Sequence, residues 1–250
     1  MTSPSTAPRS RAWVEIDLDA IGANAQQIQR VVGPSVGLLP MVKADAYGLG
    51  APAVALHLAR VIAPSALRGF GVATIDEGEE LREAGWTGAV LVFSPPKASE
   101  LRRAADAALT PCLSDVALVR RWAELARALA RRLPFHVEID TGIGRAGLPW
   151  RHAAVWGAEL ARAAEGVLEW AGCFAHFHSA DEPDLAPTDE QWRRVRDALA
   201  ALPPPERGRH RVVHISNSAG ALRRPAYGEM VRPGIFLYGG RAGAEVEPRP

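Results

Sequence analysis

Short apolar segments alternate with longer amphipathic segments along most of this chain of 250 residues. Apolar runs that end in glycine, proline or polar residues are typical of buried strands, and charged residues at helical spacing are typical of surface helices. The predicted strands include residues 13–18, where apolar and polar residues alternate, and residues 36–42, 69–73, 89–93, 135–140, 168–177 and 212–215. Such alternation predicts parallel strands joined by right-handed crossovers. About eight units of this kind favour the α/β class and a (β/α)8 TIM-type barrel.

The charge, hydropathy and cysteine content of the chain argue against several classes of function. The formal net charge of +1 gives no electrostatic case for binding nucleic acid or an acidic membrane surface. No segment approaches the ~20 apolar residues that a membrane helix needs, so neither partner is expected. Cys112 and Cys173 lie far apart and lack the spacing of zinc ligands. Residues 1–11 are predicted to be a disordered tail, and the cytoplasm is the default location.

One predicted strand ends on a lysine. Residues 36–42 are mostly apolar, Lys43 follows them, and Gly48 and Gly50 mark a turn. Desolvation at the tip of a buried strand favours the uncharged amine, which is the form that condenses with a carbonyl group. A lysine that extends from a strand end to water is the simpler alternative. Residues at the other strand ends are therefore needed to distinguish a Schiff-base lysine from a solvent-exposed one.

Polar side chains at other predicted strand ends should meet at one face of a barrel. Residues 140–147 contain three glycines and Arg145, whose planar guanidinium can bind an anion. A helix-capping turn with a surface arginine is an equal alternative. His176 and His178 are separated by one residue and would point the same way, as a metal pair does. No third ligand has a convincing spacing, so no metal site is predicted.

The last two strand ends predict a phosphate site. Ser218 can begin a short helix, where a hydroxyl and free N–H groups bind anions. Arg232 ends the last strand, and Gly234 and Ile235 follow it in a turn with exposed N–H groups. Phosphate sites in these barrels commonly form at this place. A phosphate site opposite a Schiff-base lysine predicts pyridoxal 5′-phosphate, although an aldolase-type barrel would also use both features.

Four segments resemble, in the same order, the signature blocks of the alanine racemase family. They are residues 13–19, 42–48, 140–145 and 231–239. The resemblance implies that residues 12–240 form a barrel that holds pyridoxal 5′-phosphate, and that residues 241–250 begin a linker to a C-terminal β domain. It further implies interconversion of L- and D-alanine, a supply of D-alanine for cell-wall precursors, and a homodimer at full length.

The resemblance also implies roles for single residues. Lys43 would bind the cofactor covalently and act as one of two catalytic bases. Arg232 would face the pyridine nitrogen with His176 behind it, and Arg145 would contact the phenolic oxygen. The phosphate group would be held by Tyr47, Ser218, Gly234 and Ile235, with Asn217 supporting the phosphate loop. Because an arginine cannot accept a proton, the pyridine nitrogen would stay unprotonated, and transamination should be suppressed.

Two features depart from the family pattern. Glu138 stands where many members carry a lysine whose carbamate anchors the substrate-side arginine, so we expect Glu138 to orient Arg145 without carbamylation. A glutamate merely exposed at the strand end is the alternative. The chain also ends before a β domain, which in the family supplies a tyrosine as the second base across the dimer. Tyr227 and Tyr238 do not match that tyrosine, so we expect a fragment that is nearly inactive as a racemase.

Two other functions fit parts of the sequence. A single-domain pyridoxal phosphate carrier of the homeostasis type would also lack a β domain. A D-amino-acid aldolase or dehydratase of the same cofactor class would add a metal, for which His176 and His178 are the candidates. Residues 14–19 and 232–234 match the racemase pattern better than the carrier pattern.

Overall fold

The computed structural model describes residues 12–223, 227–243 and 246–250. The predicted tail at residues 1–11 lies outside the described residues. The strands are β1 (Gly37–Leu38), β2 (Phe70–Val72), β3 (Val90–Val92), β4 (Thr110–Leu113), β5 (Leu133–Asp140), β6 (Leu148–Pro149), β7 (Leu168–Phe174), β8 (Val212–His214) and β9 (Met230–Val231).

Helices connect these strands, as the sequence predicts. They are α1 (Leu18–Val32), α2 (Lys43–Gly48), α3 (Ala51–Val61), α4 (Ile75–Glu83), α5 (Leu101–Asp106), α6 (Val116–Ala128), α7 (Ala153–Ala164), α8 (Ala186–Ala201) and α9 (Ser218–Arg223). Short 3-10 turns span Ala98–Glu100, Trp150–His152 and Ile235–Tyr238. Among the described residues, no helix is both long and apolar enough to cross a membrane.

The strands form a parallel ring. β2, β3, β4, β5, β7 and β8 lie side by side in that order, β6 pairs with β5 off this path, and β1 pairs with β9. Contacts on both sides join the two sheets. On one side Met41, just after β1, pairs with Gly71 of β2, and on the other the N–H of Arg232 donates to the carbonyl of Ser216 at 2.9 Å. The (β/α)8 prediction is confirmed, and its carboxyl-end loops gather at one face.

Two apolar layers stabilise this ring. Leu39, Leu91, Cys112, Phe174 and Met230 form a small cluster of buried side chains. Their strand neighbours belong to a larger cluster shared with the helices. Because successive side chains of a strand point to opposite faces, the small cluster fills the inside of the barrel and the larger one packs the helices around it.

Two sequence predictions differ from the structure. The alternation at residues 13–18 predicts a strand, but Trp13 and Val14 lie in an exposed segment outside the helices and strands, and α1 already begins at Leu18. Asp17 caps this helix by accepting from the N–H of Ala20 at 3.0 Å. Alternating apolar residues also occur in irregular segments, so this pattern alone does not identify a strand.

The expected strand at residues 36–42 is also shorter than predicted. β1 covers only Gly37–Leu38. Beyond it, the N–H groups of Leu39 and Met41 still donate to the carbonyls of Val231 and Pro233 at 2.9 and 2.8 Å, whereas Pro40 has no N–H to donate toward β2. At the other end of the chain, residues 246–250 pack along α1. There the backbone of Arg249 exchanges two hydrogen bonds with the side chain of Asn24, at 2.7 and 2.9 Å.

Candidate active site

A cavity of about 680 Å³ opens at the carboxyl ends of the strands. Every residue predicted for the site lines this one cavity. They are Lys43, Tyr47, Glu138, Arg145, His176, Asn217, Ser218, Arg232, Gly234 and Ile235. Residues from five different strand ends therefore meet in one place, as the barrel fold requires.

Lys43 begins a turn of unusual conformation. The residues 44–47 all have positive φ angles, between 52° and 60°, so α2 is a single left-handed turn. Residues other than glycine adopt this region at a cost of about 1–2 kcal/mol each, so surrounding contacts have to hold the turn. The turn brings both Lys43 and Tyr47 to the cavity. Lys43 is half-buried there, less enclosed than a lysine at the tip of a long buried strand.

Arg232 is held from several sides. One terminal nitrogen donates to Nδ1 and to the carbonyl of His214, both at 2.8 Å. The other donates to the carbonyl of Ala175 at 2.8 Å and lies 3.4 Å from Nδ1 of His176. Burial lowers the pKa of Arg232 to about 10, so the guanidinium keeps its charge at neutral pH. Its orientation is therefore fixed before any ligand binds.

Two histidines extend this network deeper into the barrel. Because Arg232 must donate, Nδ1 of His214 accepts, and its Nε2 carries the proton that points to Nδ1 of His136 at 2.9 Å. Burial, followed by the charge of Arg232, lowers the pKa of His136 to about 3 and that of His214 well below its usual value. The pKa of His176 is lowered to about 3 for the same reasons. All three imidazoles are neutral at physiological pH.

The family resemblance places only His176 beside Arg232. His214 makes the shorter contact, and His136 was not singled out at all. His214 does stand at a strand end, which is a signal that could have identified it. His136 lies inside β5, and only the pairing of β5 with β7 and of β7 with β8 brings it to His214.

Hydroxyl and N–H groups also gather at the cavity. The Oγ atom of Ser218 accepts from the N–H of Gly234 at 2.9 Å and from that of Phe236 at 3.4 Å, which leaves its own proton free to donate. Asn217 caps the next helical turn by accepting from the N–H of Gly220 at 2.9 Å. Tyr47 stacks on Tyr238, with ring centroids 4.7 Å apart. Burial raises the pKa of Tyr47, so its hydroxyl is a donor at neutral pH.

Gly234 permits the close approach of Tyr47. A Cβ atom at this position would lie 2.3 Å from the hydroxyl oxygen of Tyr47, which packs against Tyr238 on its other side. We expect Gly234→Ala to displace the Tyr47 hydroxyl and to weaken phosphate-ligand binding by about tenfold, or ~1.4 kcal/mol. Titration with pyridoxal 5′-phosphate measures the change.

A double-mutant cycle provides the control for this prediction. If the methyl group acts through Tyr47, then Gly234→Ala should cost much less affinity in a Tyr47→Phe background. An equal loss in both backgrounds would show that the methyl group acts elsewhere.

Glu138 and Arg145 differ in their exposure to solvent. Glu138 is only 4% exposed, whereas Arg145 is exposed at the cavity rim. The ion pairs of the described residues do not include one between these two side chains. Arg145 still acts on Glu138 through its charge, because it opposes the rise in the pKa of Glu138 that burial causes. The proposed anchoring of Arg145 therefore stays a prediction.

The pKa of Glu138 predicts a pH-dependent stability. Burial raises its folded-state pKa above the usual 4.5, so the folded chain binds this proton more tightly than the unfolded chain. The resulting stability is complete below pH 4.5 and is lost as the pH rises through the raised value. Glu138→Gln should flatten the free energy of unfolding across this window and be the more stable form at neutral pH.

Urea unfolding at a series of pH values measures this effect. The matched control is Glu80→Gln on the exposed side of α4, which should follow the wild-type profile. A Glu138→Gln variant that is less stable than the wild type at pH 7 would show that attraction to Arg145 and Arg232 outweighs the cost of burying the carboxylate.

Only one of the two histidines considered as metal ligands, His176 and His178, lines the cavity. His176 lines the cavity, while His178 is exposed and its N–H donates to Oε1 of Gln191 at 3.1 Å. Within residues 12–223, 227–243 and 246–250, no group of three or more His, Cys, Asp or Glu side chains is placed to hold a metal ion.

Known proteins are similar to this chain in sequence and in fold. Residues 16–242 match the family model described as "Alanine racemase, N-terminal domain". Alanine racemase of Synechocystis sp. is 34% identical over 238 residues, which are 92% of this chain and 61% of that protein. Alanine racemase 2 of Caldanaerobacter subterraneus subsp. tengcongensis is 38% identical over 229 residues, 90% of this chain and 57% of that protein.

Solved structures agree with the sequence matches. Alanine racemase of E. faecalis superposes with a TM-score of 0.81 at 29% identity, covering 94% of this chain and 63% of that one. Alanine racemase of Bartonella henselae with covalently bound pyridoxal phosphate has a TM-score of 0.81 at 25% identity. The superposition covers 93% of this chain and 62% of that one. The chain thus spans about three fifths of these relatives. It belongs to the alanine racemase N-terminal domain family.

Proposed function

We propose that this chain binds pyridoxal 5′-phosphate in the cavity, and that the whole protein interconverts L- and D-alanine. One observation carries the proposal: a lysine, a buried arginine and two hydroxyl donors, from Tyr47 and Ser218, line a single cavity of about 680 Å³. A cavity of several hundred Å³ suits a cofactor with a small substrate.

The residues fit the cofactor chemically. Tyr47 and Ser218 each have a proton to donate, and both lie beside Gly234, where the absence of a side chain leaves the backbone accessible. These donors suit a phosphate group. The primary amine of Lys43 suits the aldehyde carbon, and the fixed guanidinium of Arg232 suits a ring nitrogen that accepts a hydrogen bond without taking the proton.

Lys43 would perform two tasks. Its Nζ atom would form the covalent link to the cofactor and, once released by the substrate, carry a proton to or from Cα on one face. When bound, pyridoxal 5′-phosphate supplies the electron sink that acidifies this Cα–H bond. Arg145 would interact with the phenolic oxygen and the substrate side, while the buried charge of Glu138 orients it. Asn217 would keep the phosphate loop in place by capping α9.

Racemisation needs a second acid or base on the opposite face of Cα. Tyr238 is unsuited to that task, because its hydroxyl donates to the carbonyl of Met41 at 2.8 Å and burial raises its pKa. We therefore propose that a further domain supplies the second group across a homodimer. The greater length of the relatives supports this arrangement. We also propose that the whole protein acts in the cytoplasm and supplies D-alanine for cell-wall precursors.

Deuterium exchange tests the proposal. The purified chain, loaded with pyridoxal 5′-phosphate, is incubated in D₂O with either enantiomer of alanine, and NMR follows the Cα hydrogen. We expect one enantiomer to exchange much faster than either is racemised, because the lysine serves one face of Cα. Cofactor binding without exchange would favour a carrier, and metal-dependent cleavage of β-hydroxy amino acids would favour an aldolase.

A further inference from the structure

The carboxylate of Glu77 joins two neighbouring strand ends beside the cavity. Its Oε1 atom accepts from the N–H of Ala44 at 2.8 Å, and its Oε2 atom accepts from the N–H of Ala73 at 2.6 Å. Ala44 directly follows Lys43, and Ala73 lines the cavity just after β2. Glu77 itself belongs to α4 and is half-buried.

Helix capping explains only part of this arrangement. Thr74 and Glu77 form a capping box, in which the Oγ1 atom of Thr74 accepts from the N–H of Glu77 and the carboxylate accepts from the N–H of Thr74, each at 3.3 Å. The two shortest bonds of the carboxylate go instead to Ala44 and Ala73, which a capping box does not require.

The bond to Ala44 lies where the backbone is strained. Ala44 is the first of four consecutive residues with positive φ angles, none of them glycine. The exit of the same turn is held by Asp45, whose Oδ1 atom accepts from the N–H of Ala51 at 2.7 Å. A charge-assisted bond at the entrance is therefore well placed to keep the turn in its left-handed form.

We propose that Glu77 is the positioning residue for Lys43. By binding the N–H of Ala44, the carboxylate fixes the left-handed turn, which directs Lys43 and Tyr47 together into the cavity. The part of this inference that concerns the cofactor depends on the proposed function, but the hold of Glu77 on the turn does not.

Hydrogen exchange on the cofactor-free chain tests the hold on the turn. In Glu77→Gln, one oxygen becomes an NH₂ group that faces a donor, so at most one of the two bonds survives. We expect amide exchange over residues 43–50 to accelerate by about tenfold or more, as for a lost charge-assisted bond. Thr74→Ala removes the other half of the capping box and should lower the melting temperature while leaving this exchange rate nearly unchanged. Glu80→Gln on the same helix should behave as the wild type.

Cofactor capture tests the effect on Lys43. Glu77→Gln should weaken the affinity for pyridoxal 5′-phosphate, measured by absorbance, by about tenfold, and Thr74→Ala should not. Equal effects of the two variants, or an affinity unchanged despite faster exchange, would overturn the positioning role. If Glu77→Gln does not fold, Glu77→Asp serves instead, since the shorter side chain cannot reach both strand ends. A wild-type chain that captures no cofactor would overturn the proposed function, while the exchange experiment would still decide whether Glu77 holds the turn.

Discussion

Lys43→Ala is expected to abolish covalent capture of pyridoxal 5′-phosphate. Sodium borohydride reduces a lysine–cofactor bond to a stable adduct, which mass spectrometry can locate in a peptide. The sequence contains two lysines, Lys43 and Lys97, and only Lys43 lines the cavity. We therefore expect a single adduct on the wild-type chain, at Lys43, and none on the variant. Exchange of the alanine Cα proton should fall by a factor on the order of 10³ or more, because in the proposed function the same amine carries that proton.

Lys97→Ala is the matched control. Lys97 is exposed at the start of the turn before α5, on the surface of the barrel. This variant should keep the adduct, the visible absorption band and the exchange rate of the wild type. An adduct that moves to Lys97, or that persists in Lys43→Ala, would show that the cofactor binds outside the cavity. Lys43→Arg distinguishes the need for a positive charge from the need for a primary amine. Arginine keeps the charge but cannot form the covalent bond to the cofactor.

The sequence predicts the barrel well because its strands are of the buried, parallel kind. Such strands have continuous apolar runs that end in turn residues, and β2, β3, β5, β7 and β8 lie where the pattern places them. The error at residues 13–18 has the opposite cause. Alternation reports which side chains are apolar, but it does not report whether another strand is available to pair with the backbone.

The candidate site was predictable to the extent that it follows strand ends. Lys43 and Arg232 each follow an apolar run directly, and Ser218 comes three residues after one. Barrel topology brings such residues together. His136 and Glu77 illustrate what the pattern cannot provide. His136 depends on the register of β5 and β7, and Glu77 resembles an ordinary charge in the first turn of a helix until its partners are known.

Arg232→Glu is expected to change the chemistry of the site without removing the covalent link. The guanidinium of Arg232, with a pKa of about 10, keeps its protons at neutral pH and would leave the ring nitrogen of the cofactor unprotonated. A carboxylate in its place would favour a protonated ring nitrogen and a stronger electron sink. We expect the visible spectrum of the bound cofactor to shift, transamination to rise by about tenfold or more, and productive Cα exchange to fall by about 10²-fold.

Arg232→Gln separates the new carboxylate from the lost guanidinium. Both substitutions leave the carbonyl groups of Ala175 and His214 without their donor, at a cost on the order of 3–5 kcal/mol in stability. Both should therefore lower the melting temperature, and Arg232→Glu should lower it further because it also buries a carboxylate. Because glutamine carries no negative charge, only Arg232→Glu should increase transamination. Equal spectra and equal side-reaction rates in the two variants would mean that Arg232 acts through its hydrogen bonds alone, and that it does not set the protonation state of the ring.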